Sequence, residues 1–327
     1  MKVLFVCTGN YCRYYPGDIS PPVRRIGDAL KECGVEVDYF LIKGKGISGY
    51  LKNIKRLKHF LTNRDYKIIH AHYGISGIVS QLAREHQKLV VSFMGSDLLG
   101  SVNSQMKYSF QGNLLAKINR YFAGLYDFKI VKSQSMLPHL KHTDNTIVIP
   151  NGVDFKSFFP MEKSMAREKL GFDQNTRTCL FVADPENYVK NFPLAKAGVD
   201  LFNKDKKICE LIVVFGKTDL ELNLYYNAAD IVLLTSFHEG SPNVIKEAMA
   251  CNCPIITTDV GDVKELIADT DGCRLTTFEP EDVAEKLEMA LSYGKRTNGR
   301  EHVRHLDSSV VVRRILEVYH HVLTDKK

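Results

Sequence analysis

Residues 231–250, IVLLTSFHEGSPNVIKEAMA, contain a strand, a glycine loop and a helix in immediate succession. The apolar run 231–234 predicts a buried strand, and Gly240 lies in the loop after it. We expect Ser241 to cap the helix and Pro242 to be its first residue, because these residue types favour those two positions. A strand followed directly by a helix is the repeating step of a parallel α/β sheet.

The same step recurs along the whole chain, which predicts an α/β fold. The predicted strands are 2–7, 36–42, 67–71, 89–93, 128–132, 146–149, 178–182, 210–215, 231–234, 254–258 and 274–275. A turn sequence, Pro-Asn-Gly at 150–152, separates the first six from the last five. We therefore predict two Rossmann-like domains, residues 1–150 and 151–308, that face each other across a cleft. A helix over 309–323 is expected to pack back on the first domain.

The composition is that of an ordinary globular protein, with 44% hydrophobic and 25% charged residues. No apolar run approaches the roughly 20 residues of a membrane span, and the first residues predict a buried strand rather than a signal peptide. We therefore expect a cytoplasmic protein whose eight cysteines are reduced. Cys251 and Cys253 lack a second pair of metal ligands and are predicted to be core thiols.

The loop after residue 234 has the properties of an anion site. A helix start presents unpaired backbone N–H groups and the positive end of the helix dipole, which suits a diphosphate. Glu239 on the loop and Glu247 on the helix add two carboxylates, which accept hydrogen bonds from sugar and ribose hydroxyls. The alternative is that Glu239 is a loop charge and Glu247 belongs to a solvated helix face.

The stretch from Glu239 to Glu247 resembles the E-x7-E donor motif of the family 4 glycosyltransferases of the GT-B fold. The resemblance continues in DVGDVKELI at 259–267 and in PNGVD at 150–154, and it extends over nearly the whole chain. It implies a retaining, metal-independent transfer of a hexose from a nucleotide sugar. It also implies two Rossmann-like domains, of which we expect the second to be shortened in this chain.

The resemblance also implies roles for single residues. Glu239 would contact the hexose hydroxyls, Glu247 the ribose hydroxyls, and Lys190 the diphosphate of the leaving group. The loop beneath sugar and phosphate would consist of Gly240, Ser241, Pro242 and Asn243. On the acceptor side, the resemblance and the loop positions imply Gly17, Gly95, Ser96 and Asp97.

Three departures from the family pattern stand out. An Arg usual before the Lys is replaced by residues 183–185, Ala-Asp-Pro, and Met94 stands where the family has His. The span between Phe215 and Leu224 is short, where the family has a further α/β unit. These departures leave open a degenerate protein that binds a nucleotide sugar without turnover.

Several other patterns carry competing interpretations. His70 and His72 end a strand, and a structural or acceptor-lining role is favoured over a metal pair. Asp269 and Asp271 have the spelling of a DXD metal site, but no metal is expected. His238 is a further candidate for the donor pocket.

Near the N-terminus, Cys7 and Arg13 also spell the C-x5-R loop of low-molecular-weight tyrosine phosphatases, with Cys7 as a thiolate nucleophile. Such a loop needs Ser or Thr after the Arg, whereas Tyr14 and Tyr15 follow. The phosphatase therefore stays a remote alternative.

Between Lys43 and Lys67 there are eight Lys or Arg residues and one acidic residue, Asp65. Residues 48–61 predict an amphipathic helix, with Leu51, Ile54, Leu57 and Leu61 on its apolar side. Two interpretations stay open: a core-packed helix with a solvated basic face, or a helix that docks on an anionic membrane. Nucleic acid is not an expected partner, because recognition motifs and stackable aromatics are lacking.

The function predicted from these patterns is transfer of a hexose to a glycan or a lipid-linked saccharide, in bacterial cell-envelope polysaccharide assembly. The expected co-substrate is a nucleotide sugar, and no further cofactor is implied. The nucleobase, the sugar and the acceptor stay open.

Overall fold

The computed structural model describes residues 1–10, 19–44, 46–103, 107–204 and 209–325. The chain divides into two compact units. The first comprises Met1–Ser101, Tyr108–Gly152 and Ser308–Lys327, and the second comprises Val102–Lys107 and Val153–Asp307.

Strands and helices alternate through both units. The strands are β1 Lys2–Thr8, β2 Glu36–Ile42, β3 Ile68–His72, β4 Lys88–Ser92, β5 Phe128–Val131, β6 Thr146–Val148, β7 Arg177–Val182, β8 Cys209–Val214, β9 Ile231–Leu234, β10 Ile255–Thr258 and β11 Arg274–Thr276. The helices are α1 Pro21–Glu32, α2 Gly46–Leu61, α3 Gly74–Ala83, α4 Ser96–Leu99, α5 Phe110–Phe122, α6 Lys163–Leu170, α7 Phe192–Phe202, α8 Asp219–Ala228, α9 Asn243–Ala250, α10 Val263–Ile267, α11 Pro280–Tyr293, α12 Gly299–His302 and α13 Ser308–Thr324.

The first unit is built on a six-stranded parallel sheet in the order β2-β1-β3-β4-β5-β6. The central parts of its strands are mainly apolar because helices cover both faces of the sheet. One face carries α2, α3 and α5. Leu57 of α2, Val79 of α3 and Ala123, directly after α5, belong to one hydrophobic core. The other face carries α1 and the last helix, α13, whose apolar residues Val311 and Ile315 pack with β1.

The second unit is built on a five-stranded parallel sheet in the order β11-β10-β9-β7-β8. Strands β7, β9 and β10 are therefore neighbours, although α7, β8 and α8 intervene in the sequence between β7 and β9. Because the strands are parallel, the loops that follow these three strands meet at one edge of the sheet.

The predicted α/β class is confirmed, and each of the eleven predicted strands is present with its bounds within one residue. Among the described residues, no helix combines the length and the apolar character needed to cross a bilayer.

Candidate functional site

The site is built on the carboxyl-end loops of β7, β9 and β10. The loop after β7 contains a short 3₁₀ turn, Tyr188–Lys190, and the loop after β9 contains Glu239. The loop after β10 brings Asp262 to the same edge. Lys190 and Asp262, which lie 72 positions apart in sequence, thus come to the same edge because their strands belong to one run of neighbouring strands.

Lys190 and Glu239 form an ion pair across two of these loops. The Lys190 Nζ lies 2.5 Å from Glu239 Oε1, and the Ser236 hydroxyl donates to the same oxygen over 2.8 Å. The two charged side chains retain only 22% and 16% of their exposure, so water screens their attraction weakly. The two residues that the sequence suggested for sugar and diphosphate are therefore direct neighbours.

Backbone contacts fix the position of Lys190. The Phe237 amide donates to the Val189 carbonyl over 2.9 Å, and the Thr235 hydroxyl donates to the Asn191 carbonyl over 2.9 Å. Asn191 adopts the left-handed region with φ 51°, which asparagine tolerates better than most residues. Hydrogen bonds from the first residues after β9 thus fix the position of the loop that contains Lys190.

Helix α9 begins one residue later than expected, and Ser241 does not cap it. Pro242 occupies the cap position and Asn243 is the first helical residue. The Ser241 hydroxyl instead donates to Asp262 Oδ2 over 2.6 Å and accepts from Lys246 Nζ over 2.7 Å. Hydrogen bonds to charged groups are stronger than a neutral cap, which explains why the side chain turns away from the helix end.

Lys246 and Asp262 are site residues that the sequence analysis missed. Lys246 is fully buried and Asp262 retains 7% of its exposure, and both side chains contact the Ser241 hydroxyl. Burial raises the pKa of Asp262, and the nearby charge of Lys246 opposes that rise. The signal that could have found this network is a lysine that directly follows Ile245 on a helix with the apolar residues Ala248 and Met249.

The backbone of Gly240 packs closely against Gly261 in the neighbouring loop. Gly261 has φ 65°, and a Cβ built on it would lie 2.8 Å from the Gly240 carbonyl oxygen. A side chain there would push the two loops apart. The backbone after Glu239 therefore depends on close packing against residues 259–262.

Glu247 is buried rather than solvated, so the interpretation as a solvated helix face was wrong. It retains 4% of its exposure, and the Tyr226 hydroxyl donates to its Oε2 over 2.8 Å. Helix α9 is covered by α8 and α12 on its flanks, which buries even its polar positions. The second glutamate of the motif is thus oriented by Tyr226, a residue to which the sequence analysis assigned no role.

His238 lies beside Glu239 and is nearly buried. Burial lowers the pKa of this imidazole, and the charge of Lys190 lowers it further, although Glu239 acts in the opposite direction. His238 is therefore neutral at pH 7.

In the first unit, Asp97 organises the loop after β4. Its carboxylate is fully buried and accepts hydrogen bonds from the amides of Met94, Gly95 and Gly74 over 2.9–3.0 Å. Burial raises the pKa of Asp97, and these backbone bonds lower it. Ser96 contacts the Tyr73 hydroxyl at 3.2 Å. Asp97 is therefore a positioning residue for the loops after β3 and β4. Gly17 lies outside the described residues.

The phosphatase alternative meets an obstacle at Cys7. The thiol retains 3% of its exposure at the end of β1, and burial raises its pKa to about 12. A phosphatase needs a thiolate near neutral pH, so the change has the wrong direction. Arg13 lies outside the described residues.

His70 and His72 are buried beside each other, with ring centroids 4.3 Å apart. His70 is satisfied by the Tyr319 hydroxyl at 2.6 Å and the Ser92 hydroxyl at 2.8 Å, which gives it a structural role. Cys251 and Cys253 are buried core thiols whose pKa values are raised by burial. Within the described ranges, no three His, Cys, Asp or Glu side chains are grouped to share a metal ion.

Two family models match the chain, one in each unit. Residues 13–157 match the model described as Glycosyltransferase Family 4, and residues 187–292 match the model described as Glycosyl transferases group 1.

Curated relatives are distant in sequence. The D-inositol 3-phosphate glycosyltransferase of Geodermatophilus obscurus is 22% identical over 272 residues, covering 69% of this chain and 60% of the relative. That of Corynebacterium aurimucosum is 24% identical over 268 residues, covering 69% of this chain and 64% of the relative. The chain therefore matches less than two thirds of the length of these relatives.

Solved structures match over the whole chain. Sucrose-phosphate synthase from Thermosynechococcus elongatus superposes with a TM-score of 0.78 at 19% identity, over 98% of both chains. Anabaena HepE in complex with UDP-glucose superposes with a TM-score of 0.71 at 18% identity, over 98% of this chain and 99% of HepE. At these identities the likeness establishes the fold, which is GT-B.

Proposed function

We propose that this chain, which belongs to the family 4 glycosyltransferases of the GT-B fold, is an active enzyme. It transfers a hexose from a nucleotide sugar to a glycan or lipid-linked acceptor. The proposed reaction retains the anomeric configuration and needs no metal ion. Assembly of a bacterial envelope polysaccharide is the proposed setting.

The observation that carries the proposal is the contact between Lys190 and Glu239 at the carboxyl edge of β7 and β9. A diphosphate that binds at this edge brings negative charge towards the ammonium group of Lys190. As the sugar–phosphate bond breaks, that charge grows, and a fixed ammonium group stabilises it more in the transition state than in the ground state.

Glu239 and Glu247 divide the recognition of the donor between them in this proposal. Lys190 then exchanges Glu239 for the diphosphate, and the Glu239 carboxylate accepts hydrogen bonds from the hexose hydroxyls. Glu247, oriented by Tyr226, accepts hydrogen bonds from the ribose. The Lys246–Ser241–Asp262 network keeps the loop between the two glutamates in place.

The test is a calorimetric titration of the protein with UDP, GDP, ADP and TDP, without metal and then with Mg²⁺. UDP is titrated first because HepE was solved with UDP-glucose. The variants are Glu247→Ala and, as a matched control, Glu288→Ala, which removes an exposed glutamate from α11 of the same unit. We expect one nucleotide to bind, and Glu247→Ala to weaken it more than about tenfold through lost hydrogen bonds to a charged group.

Two outcomes contradict the proposal. If none of the four nucleotides binds under either condition, the donor site is absent. If Glu247→Ala and Glu288→Ala bind equally well, the site lies elsewhere.

A separate measurement distinguishes a transferase from a protein that only binds. The nucleotide sugar of the matching base is incubated with saccharide and lipid-linked acceptors, and released nucleoside diphosphate is measured. A transferase releases it in step with the glycosylated product. Binding without any release identifies the degenerate alternative. The inositol phosphate named for the curated relatives belongs in the acceptor panel.

A further inference from the structure

Helix α5 presents apolar side chains to solvent along one stripe. Five large apolar residues are exposed on α5 and the turn after it, at 40–81% of their full accessibility: Phe110, Leu114, Ile118, Tyr121 and Leu125. Their spacing places them on a single helix face, opposite the buried Ala116 and Asn119. Single exposed apolar residues are ordinary, whereas a continuous stripe marks a surface that another phase or molecule covers.

The charges around the stripe are of one sign. Between Asp97 and Asp127 the sequence has no Asp or Glu, while Lys117 on α5 is exposed beside the stripe. Helix α2 is likewise free of acidic residues, and its Lys52, Lys55 and Lys58 are exposed. The surface is therefore apolar and basic at the same time.

Helices α2 and α5 belong to one layer. Both flank α3 on the same face of the six-stranded sheet, and α3 contacts each of them. Neighbouring packed helices lie about 8–10 Å apart, so the basic helix and the apolar stripe are separated by roughly 20 Å. Leu51 on α2 and Leu82 on α3, exposed by 55% and 51%, add apolar groups to the same layer. Of the four residues predicted on the apolar side of this helix, Leu57 and Leu61 are buried whereas Leu51 is exposed.

We propose that this layer, α2-α3-α5, docks on an anionic phospholipid bilayer. The α5 stripe enters the boundary between headgroups and acyl chains, and the α2 lysines contact the headgroups. Charge decides between a bilayer and a second copy of the chain. Two copies that met through this face would bring their lysines together without acidic partners, whereas an anionic bilayer supplies the opposite charge. This inference does not depend on the transfer reaction.

The absence of tryptophan from the sequence makes a direct test available. Tyr121→Trp introduces a single indole on the stripe, and Leu220→Trp introduces one at a residue of α8 in the second unit that is similarly exposed. On mixing with vesicles that contain phosphatidylglycerol, we expect Tyr121→Trp emission to shift to shorter wavelength. Lipids brominated on the acyl chains should quench it. Leu220→Trp should show neither effect.

Co-sedimentation with the same vesicles separates the two components. Replacing Lys52, Lys55 and Lys58 with Gln should lower the partition coefficient about fivefold per lysine at low salt, since each is worth about 1 kcal/mol near an anionic surface. A variant with Leu114→Ser, Ile118→Ser and Tyr121→Ser should lower it at least about tenfold at high salt as well. The matched control is Met165→Ser with Leu220→Ser, which removes exposed apolar groups from the second unit and should bind like the parent.

Three results overturn the proposal. The first is emission of Tyr121→Trp that anionic vesicles leave unchanged, and the second is equal binding of the stripe variant and the parent. The third is a combination of two measurements. If sedimentation velocity shows that the parent is a dimer and the stripe variant a monomer, and if the parent does not bind vesicles, a second copy of the chain covers the stripe.

Discussion

The role of Lys190 depends on its ion-pair partner, Glu239. Its Nζ contacts Glu239 in the structure, so the positive charge proposed for the diphosphate is already compensated by a carboxylate. A diphosphate must therefore compete with Glu239 for the ammonium group. This competition gives the two residues opposite effects on the affinity for a nucleoside diphosphate that carries no sugar.

We expect Lys190→Gln to weaken the bound nucleoside diphosphate by more than about tenfold, because a hydrogen bond to a charged group is lost. Glu239→Gln should tighten the same ligand by roughly fivefold, or about 1 kcal/mol, because it frees the lysine and removes a nearby negative charge. Calorimetry with the diphosphate and with the corresponding nucleoside checks both signs, since the nucleoside should respond to neither change. Lys196→Gln, on the surface of α7, is the control. Equal affinities for all three variants would contradict the competition.

At the scale of elements, the site is a set of loops fixed by a buried polar network. Ser241 joins the loop before α9 to Lys246 in that helix and to Asp262 at the end of the neighbouring loop. Gly261 allows those two loops to touch. The network explains why a lysine can be buried in α9, since its charge has a carboxylate one hydroxyl away.

Ser241→Ala removes both hydrogen bonds of this network and should reduce stability by about 1–3 kcal/mol, because Lys246 and Asp262 lose their shared partner inside the protein. Asp262→Ala should cost more, about 3–5 kcal/mol, because it removes a carboxylate that balances the charge of a buried ammonium group. Urea unfolding of each variant, with Ser292→Ala on the exposed side of α11 as control, measures these differences. If Asp262→Ala were as stable as the parent, Lys246 would have another counter-charge.

At the scale of the whole molecule, the last helix, α13, makes a side-chain hydrogen bond to β3 in the first sheet. The Tyr319 hydroxyl of α13 contacts His70 Nδ1 of β3 at 2.6 Å, across 249 positions of sequence. Burial lowers the pKa of His70 to about 3, and it lowers that of His72 well below its ordinary value. Among the described residues, neither ring nitrogen of His72 has a hydrogen-bond partner.

These two histidines should make the protein acid-sensitive. Below about pH 6.5 these histidines become protonated in the unfolded chain but stay neutral in the folded chain. The free energy of unfolding therefore falls as the pH falls towards the pKa values of the folded state. Between pH 7 and pH 5 the loss should be about 2 kcal/mol per histidine. Urea unfolding at both pH values should show about half this loss in His72→Leu and the full loss in His142→Ala, which changes an exposed histidine. An equal loss in His72→Leu and the parent would show that His72 does not contribute.

Sequence patterns alone were sufficient to predict the strands of both sheets and to select the motif residues. Eleven β-rich apolar runs predicted eleven strands, because strands buried between helices must be apolar whatever lies around them. The glutamates and Lys190 could be selected for the same kind of reason, since a local pattern of strand, glycine loop and helix defines their positions.

Tertiary structure alone decided which of these residues touch and which are buried. The order β9-β7-β8, which places Lys190 beside Glu239, depends on sheet pairing that a local pattern does not encode. The burial of Glu247 and Lys246 follows from the helices packed around α9. The exposure of the α5 stripe is the converse case, because apolar residues at helical spacing face the core or solvent according to which side the sheet covers.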